Sequence, residues 1–189
     1  FTACEDDNDS NPTLQQPTTF VLNTPAYAAS AIDLATSTEI PFTWSQPDYG
    51  FPVAAQYQLQ VSLNDSWTVS TDQAAADESG ATVADYAMIE DVFSQAKGSL
   101  NAAKLAKALQ QIALWPVEAV PATQLVKVRA LSVLNADTIY SNTVDVNVVP
   151  FYVELKDAAP VLWYLVGSCI GDGSWGNSAD GIGKGLIPL

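Results

Sequence analysis

The chain has 189 residues, of which 48% are hydrophobic and 10% aromatic, enough to bury the core of one ordinary domain and part of another. With 21 acidic residues against 7 basic ones the net charge is −14, and every base lies after residue 96, so the surface repels nucleic acid and anionic lipid headgroups. Histidine is absent, which excludes Ser-His-Asp and Cys-His catalysis and histidine-ligated metals but leaves carboxylate-only chemistry open.

The N-terminal segment combines a cysteine with an acidic run. Thr2-Ala3-Cys4 resembles the end of the signal-peptide motif of bacterial lipoproteins, in which the cysteine is acylated after cleavage. The acids that follow, EDDND, resemble the export signal that directs lipoproteins of Bacteroidetes-type bacteria to the cell surface. The alternative is a frayed acidic terminus with an ordinary thiol, whereas Pro12 argues against a calcium loop because an EF-hand requires glycine at that position. We predict lipidation at Cys4, a cell-surface location in the outer membrane, and membrane contact through the lipid anchor only.

Residues 5–19 are polar, contain two prolines and show no periodicity, which predicts a flexible tether. Strands are then predicted at residues 20–22, 40–44, 56–63 and 67–71. The third of these, QYQLQVSL, alternates polar and apolar residues and therefore predicts a half-buried strand. The small and acidic residues 72–81 predict a surface loop.

Residues 99–114 predict an amphipathic helix of about four turns. Leu105, Leu109 and Ile112 recur at helical spacing on one face, while the lysines face elsewhere. Ser99 can cap the start of this helix. The narrow apolar stripe favours packing on a sheet over lying on a membrane surface.

Further strands are predicted at residues 124–133, 139–142 and 143–153. Several short strands separated by turn sequences predict an antiparallel β-sandwich, with the helix crossing between sheet edges. The pattern breaks at KDAAP, and an apolar strand-like stretch and a glycine-rich loop follow. The predicted domains are therefore residues 1–19 (N-terminus and tether), residues 20–155 (sandwich) and residues 156–189 (linker and start of a second domain).

The chain resembles the SusE/SusF family of surface glycan-binding lipoproteins, and SusE-like proteins in particular. The matching stretches are the TAC-EDD start, FVLNTPAYA at residues 20–28, FTWSQPDYGFP at 42–52, YQLQVS at 57–62, VKVRALS at 126–132, YSNTVDVNVVPFYV at 140–153 and the late LWYLVGSCIGDGSWGN. Residues 72–97 match nothing in that pattern.

This resemblance implies an all-β fold: an immunoglobulin/fibronectin III-like antiparallel β-sandwich with one inserted crossover helix, followed by the opening strands of a second, carbohydrate-binding β-sandwich. It implies a non-catalytic lipoprotein that holds a neutral polysaccharide or oligosaccharide, starch-like by default, beside a SusC/SusD-like outer-membrane transporter and its lid lipoprotein. In such proteins the N-terminal domain serves as a spacer or docking module, and downstream domains bind the glycan. The alternative is a docking subunit of the transporter complex that binds no sugar. No cofactor, metal or nucleic-acid partner is expected.

Sugar binding needs exposed aromatic faces with polar groups nearby, so the aromatic residues are the candidate site residues. Trp175 lies in a glycine-rich loop close to Asn177, and both are carbohydrate-binding candidates. Trp67 follows a predicted turn and is a third candidate, with a structural role as the alternative. Tyr49 and Phe51 lie in the QPDYGFP loop, where exposed aromatics would be available to a partner; the alternative is that they pack locally within the loop.

Several other residues could take part in binding or catalysis by their residue type, but we interpret them as structural. Trp44 and Tyr57 occupy inward-facing strand positions and are predicted to be core residues. Cys169 lies in an apolar stretch and is predicted to be a small buried residue. The adjacent acids Asp77-Glu78 and Glu90-Asp91 are predicted to be solvated charges. A carboxylate-only glycosidase, the remaining enzymatic alternative, would need two facing acids.

Overall fold

The computed structural model describes residues 13–155 and two short strands, at residues 164–165 and 187–188. The chain forms two units, Phe1–Leu155 and Lys156–Leu189. The predicted sites Cys4, Cys169, Trp175 and Asn177 lie outside the described residues.

Within residues 13–155 the first unit contains two α-helices, one 3-10 helix (Val117–Ala119) and two layers of strands. The elements are β1 (Ile32–Asp33), β2 (Glu39–Thr43), β3 (Gln56–Ser62), α1 (Thr71–Ala75), β4 (Tyr86–Met88), β5 (Lys97–Asn101), α2 (Ala102–Ala113), β6 (Gln124–Leu134) and β7 (Asp137–Val149). The larger sheet has the strand order β1-β7-β6-β3-β4, and β2 pairs with β5 in the smaller one.

Both sheets are antiparallel except at one edge, where β1 pairs in parallel with β7. The smaller sheet is extended by the N-terminal segment, because Asn23 N donates to Thr43 O at 2.9 Å and Ser45 N donates to Val21 O at 2.7 Å. An isolated bridge joins Leu22 to Trp44 between these two bonds.

The hydrophobic core contains the inward side chains of both sheets and one face of α2. Trp44 and Tyr57 are each 3% exposed, with ring centroids 5.5 Å apart, so their prediction as core residues is confirmed. The prediction of an all-β, sandwich-like fold is also confirmed. It succeeded because alternation places Leu59 and Val61 of β3 on the buried face of the strand.

Helix α2 carries the predicted apolar stripe but begins three residues later than predicted. Leu105, Leu109 and Ile112 are buried as expected. The N-cap is Asn101, whose side chain accepts from the N–H groups of Ala103 and Lys104 at 3.1 Å each. Ser99, the predicted cap, instead belongs to β5, since pairing with β2 extends that strand to Asn101. The helix links the smaller sheet to β6 of the larger one.

The prediction of a strand at residues 67–71 is wrong. Ser70 caps the short helix α1: its hydroxyl accepts from Gln73 N at 3.1 Å, and the Gln73 side chain accepts from Ser70 N at 2.8 Å. This reciprocal pair is a capping box. The preceding residues form an irregular segment, which lets Trp67 leave the sheet edge.

Strands β6 and β7 form a long hairpin, so the two strands predicted at residues 139–142 and 143–153 are one strand that ends at Val149. The hairpin closes through Asn135 and Ala136, which both have positive φ, 50° and 73°. Two-residue hairpin turns with both central residues in this region match the right-handed twist of the strands.

A bulge in β7 joins the N-terminal segment to the larger sheet. The pairing shifts between Arg129 and Leu131, and Ser141 Oγ accepts from Ala130 N at 2.9 Å. The next side chain, Asn142, accepts from Leu22 N at 2.9 Å and donates to Leu22 O at 3.1 Å. The Asn142 amide therefore satisfies both backbone groups of Leu22, as a neighbouring strand would.

In the second unit the described strands β8 (Tyr164–Leu165) and β9 (Ile187–Pro188) pair antiparallel.

Candidate functional site

The outward face of the larger sheet carries a stacked cluster that includes Trp67. The guanidinium carbon of Arg129 lies 4.1 Å from the centroid of the Trp67 ring and 4.1 Å from that of Tyr140. Tyr86 of β4 lies beside Trp67, with ring centroids 6.1 Å apart and the planes tilted by 54°. We call these four residues the arginine stack.

Strand register brings the members of the stack together. Arg129 lies between the buried Val128 and Ala130, so its side chain points away from the core. Tyr140 comes from β7, where it is paired with Leu131, two positions from Arg129 on the same face. A planar guanidinium stacks on aromatic faces, so these positions favour the contacts observed.

Asp65 holds Trp67 over Arg129. Its carboxylate accepts from Trp67 Nε1 at 3.0 Å and from the Thr143 hydroxyl at 3.0 Å, which connects the irregular segment to β7. Asp65 has φ 59°, a left-handed conformation that non-glycine residues adopt at a cost of about 1–2 kcal/mol. The segment is therefore held in a defined conformation rather than left free.

Asp85 fixes the other end of the same segment. Its carboxylate accepts from Ser66 Oγ at 2.7 Å, from Thr68 N at 2.9 Å and from Val69 N at 3.0 Å, and it also accepts from the Thr68 hydroxyl. Burial alone would raise the pKa of Asp85, but these hydrogen bonds outweigh it and the pKa is lowered. The ionised form is therefore the one that organises the segment.

The half-buried Arg129 is fixed by its own side-chain contacts. Its Nε donates at 2.8 Å to Oε1 of Gln60, a side chain that is 2% exposed. Burial lowers the pKa of Arg129, while Tyr140, Tyr86 and Asp65 raise it, and the guanidinium stays charged. Tyr140 is 50% exposed and is the outermost ring of the stack.

This arrangement limits what Trp67 can do. A sugar stacks on a free aromatic face, but one face of Trp67 lies on the guanidinium and Tyr86 is packed against the ring as well. Tryptophan, tyrosine and arginine are also the residues that contribute most to protein–protein binding. The stack therefore has the chemistry of a protein contact more than that of a sugar platform.

Tyr49 is packed in the fold. It is 6% exposed, its hydroxyl lies 3.0 Å from Ser132 Oγ, and its ring belongs to the core cluster, so of the two interpretations the structure favours packing over an exposed partner contact. The loop turns inward at Gly50, which has φ 86°. Phe51 is half-buried beside it. Gln15 N donates to Tyr49 O at 2.9 Å, so this part of the predicted tether contacts the loop.

The paired acids are engaged by their own neighbours. Asp77 accepts from the side chains of Ser79 and Thr82 at 2.6 Å each, and these hydrogen bonds lower its pKa. Asp91 pairs with Lys104 at 2.6 Å. Among the described residues no group of three or more Cys, Asp or Glu side chains is placed to hold a metal ion.

Three members of the stack, Tyr86, Arg129 and Tyr140, were not candidates in the sequence analysis. Arg129 is the only arginine of the chain, and it lies at an outward position of β6 between the buried Val128 and Ala130. That placement was the available indication of a site.

None of the helices in the described part of the chain is both long enough and apolar enough to cross a membrane.

Comparison with known proteins gives the family. The model of the family described as SusE outer membrane protein matches residues 6–127, more than half of the chain. No solved structure matches the chain. The suspected resemblance is thereby confirmed: the chain belongs to the SusE family of outer-membrane proteins, which are components of Sus-type systems.

Proposed function

We propose that this protein is a non-catalytic surface lipoprotein, anchored through Cys4, that holds a neutral glycan for a Sus-type uptake system. Residues 20–155 serve as a spacer and docking module. Domains from residue 156 onward bind the glycan, with Trp175 and Asn177 as candidate contacts. The partners are a SusC/SusD-like outer-membrane transporter and its lid lipoprotein.

The observation that supports the docking role is the arginine stack. Trp67 is engaged by Arg129, whereas Tyr140 presents a half-exposed ring next to a fixed guanidinium. Such a rigid aromatic and arginine surface loses little conformational entropy when a protein partner covers it. We propose that this face contacts the transporter complex and that Trp67 is a positioning residue within it.

The glycan-binding part of the proposal is tested by native affinity electrophoresis. The 189-residue chain and a longer form that carries the predicted glycan-binding domain are run in gels containing starch, dextran, levan or no polysaccharide. We expect a polysaccharide to retard the longer form. If no polysaccharide retards it, the glycan-holding role is wrong.

The docking part is tested by co-purification of the chain with a detergent-solubilised SusC/SusD-like pair. Tyr140→Ala removes the outermost ring of the stack, and we expect it to weaken capture about tenfold or more, as loss of a hot-spot residue does. Tyr152→Ala is the matched control, because Tyr152 is a similarly exposed tyrosine (40%) outside the stack. Equal capture of both variants would contradict docking through this face.

A second candidate function is a docking subunit that never binds sugar. The same stack favours it, since this function requires only a protein-binding face. It predicts normal capture by the transporter pair and no retardation of the longer form in any gel. Retardation by any polysaccharide would exclude it.

A further inference from the structure

The arginine stack contains a cation that pairs with no acid in the described part of the chain. Arg129 is the only arginine of a chain that has 21 acidic residues. The ion pairs found among the described residues are Lys104 with Asp91 at 2.6 Å and Lys127 with Asp145 at 2.7 Å, and both use lysines. Charged groups that lose contact with water are normally paired, so an unpaired, half-buried guanidinium indicates a site for an anion from outside this region.

Most of the guanidinium surface is already occupied. Its carbon lies 4.1 Å from the ring centroids of both Trp67 and Tyr140. Tyr140 comes from β7 on one side of β6, whereas Trp67 packs on Tyr86 of β4 on the other side. The Nε group donates to Gln60 Oε1 at 2.8 Å. The two Nη groups, which we call the Nη fork, donate to no acceptor within residues 13–155, and this fork is therefore the open side of Arg129.

The acid that lies near the stack is used elsewhere. Asp65 Oδ1 accepts from Trp67 Nε1 and from the Thr143 hydroxyl, at 3.0 Å each, and Asp65 forms no ion pair with Arg129. Its carboxylate therefore holds the ring in place and leaves the Nη fork available. Because Gln60 and the two rings also fix the guanidinium, little conformational entropy is lost when an anion binds to it.

We propose that the Nη fork of Arg129 binds a carboxylate of the docking partner, an aspartate or glutamate side chain that enters beside Trp67 and Tyr140. The parallel N–H groups of a guanidinium match the two oxygens of a carboxylate. A carboxylate is planar and lies in the plane of the guanidinium without meeting the rings that cover it, whereas a tetrahedral phosphate extends out of that plane. This inference rests on the proposed docking through the arginine stack, and it adds the chemical group that the partner supplies.

The overall acidity of the chain makes this contact selective. A net charge of −14 repels anions in general, but the repulsion is screened beyond about 8 Å at physiological ionic strength. A carboxylate is therefore accepted only where a fixed cation contacts it directly. The partner must present its acid at the position of Arg129, which fixes the register of docking as well as adding affinity.

The site is tested on the 189-residue chain by ¹⁵N NMR, with sodium acetate as the probe. The single arginine gives one Nε–H resonance, which reports on the guanidinium directly. We expect acetate to shift this resonance with half-saturation at about 10–100 mM, and sodium chloride at equal ionic strength to shift it much less. N-acetylarginine amide, whose guanidinium is not held in place, should not saturate in that range. No saturable shift with acetate, or tighter binding of inorganic phosphate than of acetate, would overturn the proposal.

Capture by the detergent-solubilised SusC/SusD-like pair then tests whether the partner uses the same site. We expect about 200 mM sodium acetate to weaken capture about threefold or more relative to sodium chloride, because acetate competes for the fork. Arg129→Lys keeps the charge but not the fork, so it should weaken capture about tenfold and remove the acetate effect. Lys127→Arg, on the same face of β6, should change neither. Equal capture of the wild type in the two salts would overturn the partner contact.

Failure of this inference differs from failure of the docking role. If Tyr140→Ala weakens capture while acetate and Arg129→Lys have no effect, docking through this face stands and the carboxylate contact is wrong. If the pair captures no chain at all, the docking role is wrong and the partner contact falls with it. The acetate titration needs no partner, so in that case it still decides whether the Nη fork binds a carboxylate.

Discussion

The contact between Trp67 and Arg129 can be measured as a coupling free energy. Trp67→Leu removes the ring and Arg129→Met removes the guanidinium while keeping an apolar stem. Each single change carries other costs: Trp67→Leu frees the Asp65 carboxylate, and Arg129→Met leaves the buried Gln60 oxygen unpaired, which alone costs about 1–3 kcal/mol. A double-mutant cycle cancels these separate costs and isolates the stacking contact.

We expect the cycle to give about 1 kcal/mol of coupling, since the guanidinium lies 4.1 Å from the ring centroid and is half-buried. The assay is urea unfolding of the wild type, both single variants and the double variant, with the free energy of unfolding taken from each midpoint and slope. Lys127→Met is the control partner, because Lys127 lies on the same face of β6 but pairs with Asp145 at 2.7 Å. Its coupling to Trp67 should be near zero.

A coupling below about 0.3 kcal/mol, the usual limit of additivity, would refute this interpretation. The indole face would then be free in solution, and Trp67 would return as a candidate sugar platform. A value near 1 kcal/mol would show that a ligand must displace the guanidinium before it can stack on that face.

Three further predictions concern stability. Ala136→Gly should raise the free energy of unfolding by about 0.5–1 kcal/mol, measured by thermal or urea unfolding, because glycine adopts the positive φ of residue 136 without strain. The control, Ala103→Gly in the exposed first turn of α2, should lower the stability of the protein. A loss of stability in Ala136→Gly would contradict the turn conformation. Asn142→Ala should cost about 2–3 kcal/mol, since both backbone groups of Leu22 lose their partner; a cost under about 0.5 kcal/mol would exclude this connection. Asp85→Asn should cost about 1 kcal/mol at pH 7. Because folding lowers the pKa of Asp85, its ionised carboxylate stabilises the fold above the unfolded pKa of 3.8, and this stabilisation is lost as the pH falls further. The free energies of unfolding of the wild type and of Asp85→Asn should therefore converge in acid. A difference between them that does not change with pH would refute this.

Periodic patterns predicted the parts of the fold that depend on neighbouring residues. Alternation identified β3, and helical spacing identified the stripe of α2, because each pattern is set by the geometry of one element. Boundaries were predicted less well. Ser99 and Asn101 are equally good caps by residue type, and the choice between them was made by strand pairing with β2, which lies about 60 residues earlier.

The capping box at Ser70 was readable from sequence and was overlooked. Serine followed three residues later by glutamine is a sequence signature of a helix start. A β-branched and aromatic composition suggested a strand for the same residues, and the hydrogen bonds of Ser70 and Gln73 decided against it. Local capping outweighed residue propensity here, since β-pairing in residues 67–71 is limited to one isolated bridge between Ser70 and Tyr86.

The arginine stack could not be assembled from sequence, because its four members come from four separate parts of the chain: the irregular segment, β4, β6 and β7. Trp67 precedes Arg129 by 62 residues and Tyr140 by 73, and no periodic pattern links positions that far apart. The bulge in β7 adds a second obstacle, since it changes which residues of β7 face outward on either side of it. Only the register of the folded sheet places Tyr140 beside Arg129.

Acidity in this chain has a structural use as well as an effect on solubility. Asp77 and Asp85 lie in irregular segments and accept from backbone N–H groups that lack the partners that sheets and helices supply, and Asp65 accepts from the side chains of Trp67 and Thr143. An ionised carboxylate only accepts hydrogen bonds and takes several at once, so one aspartate can satisfy a whole turn. Composition counts such residues as surface charge, yet Asp65 and Asp85 set the position of Trp67. The net charge of −14 therefore includes two acids, Asp65 and Asp85, whose loss would rearrange the arginine stack. Substituting either of them should weaken binding of a partner to this face, even though neither acid needs to contact the partner.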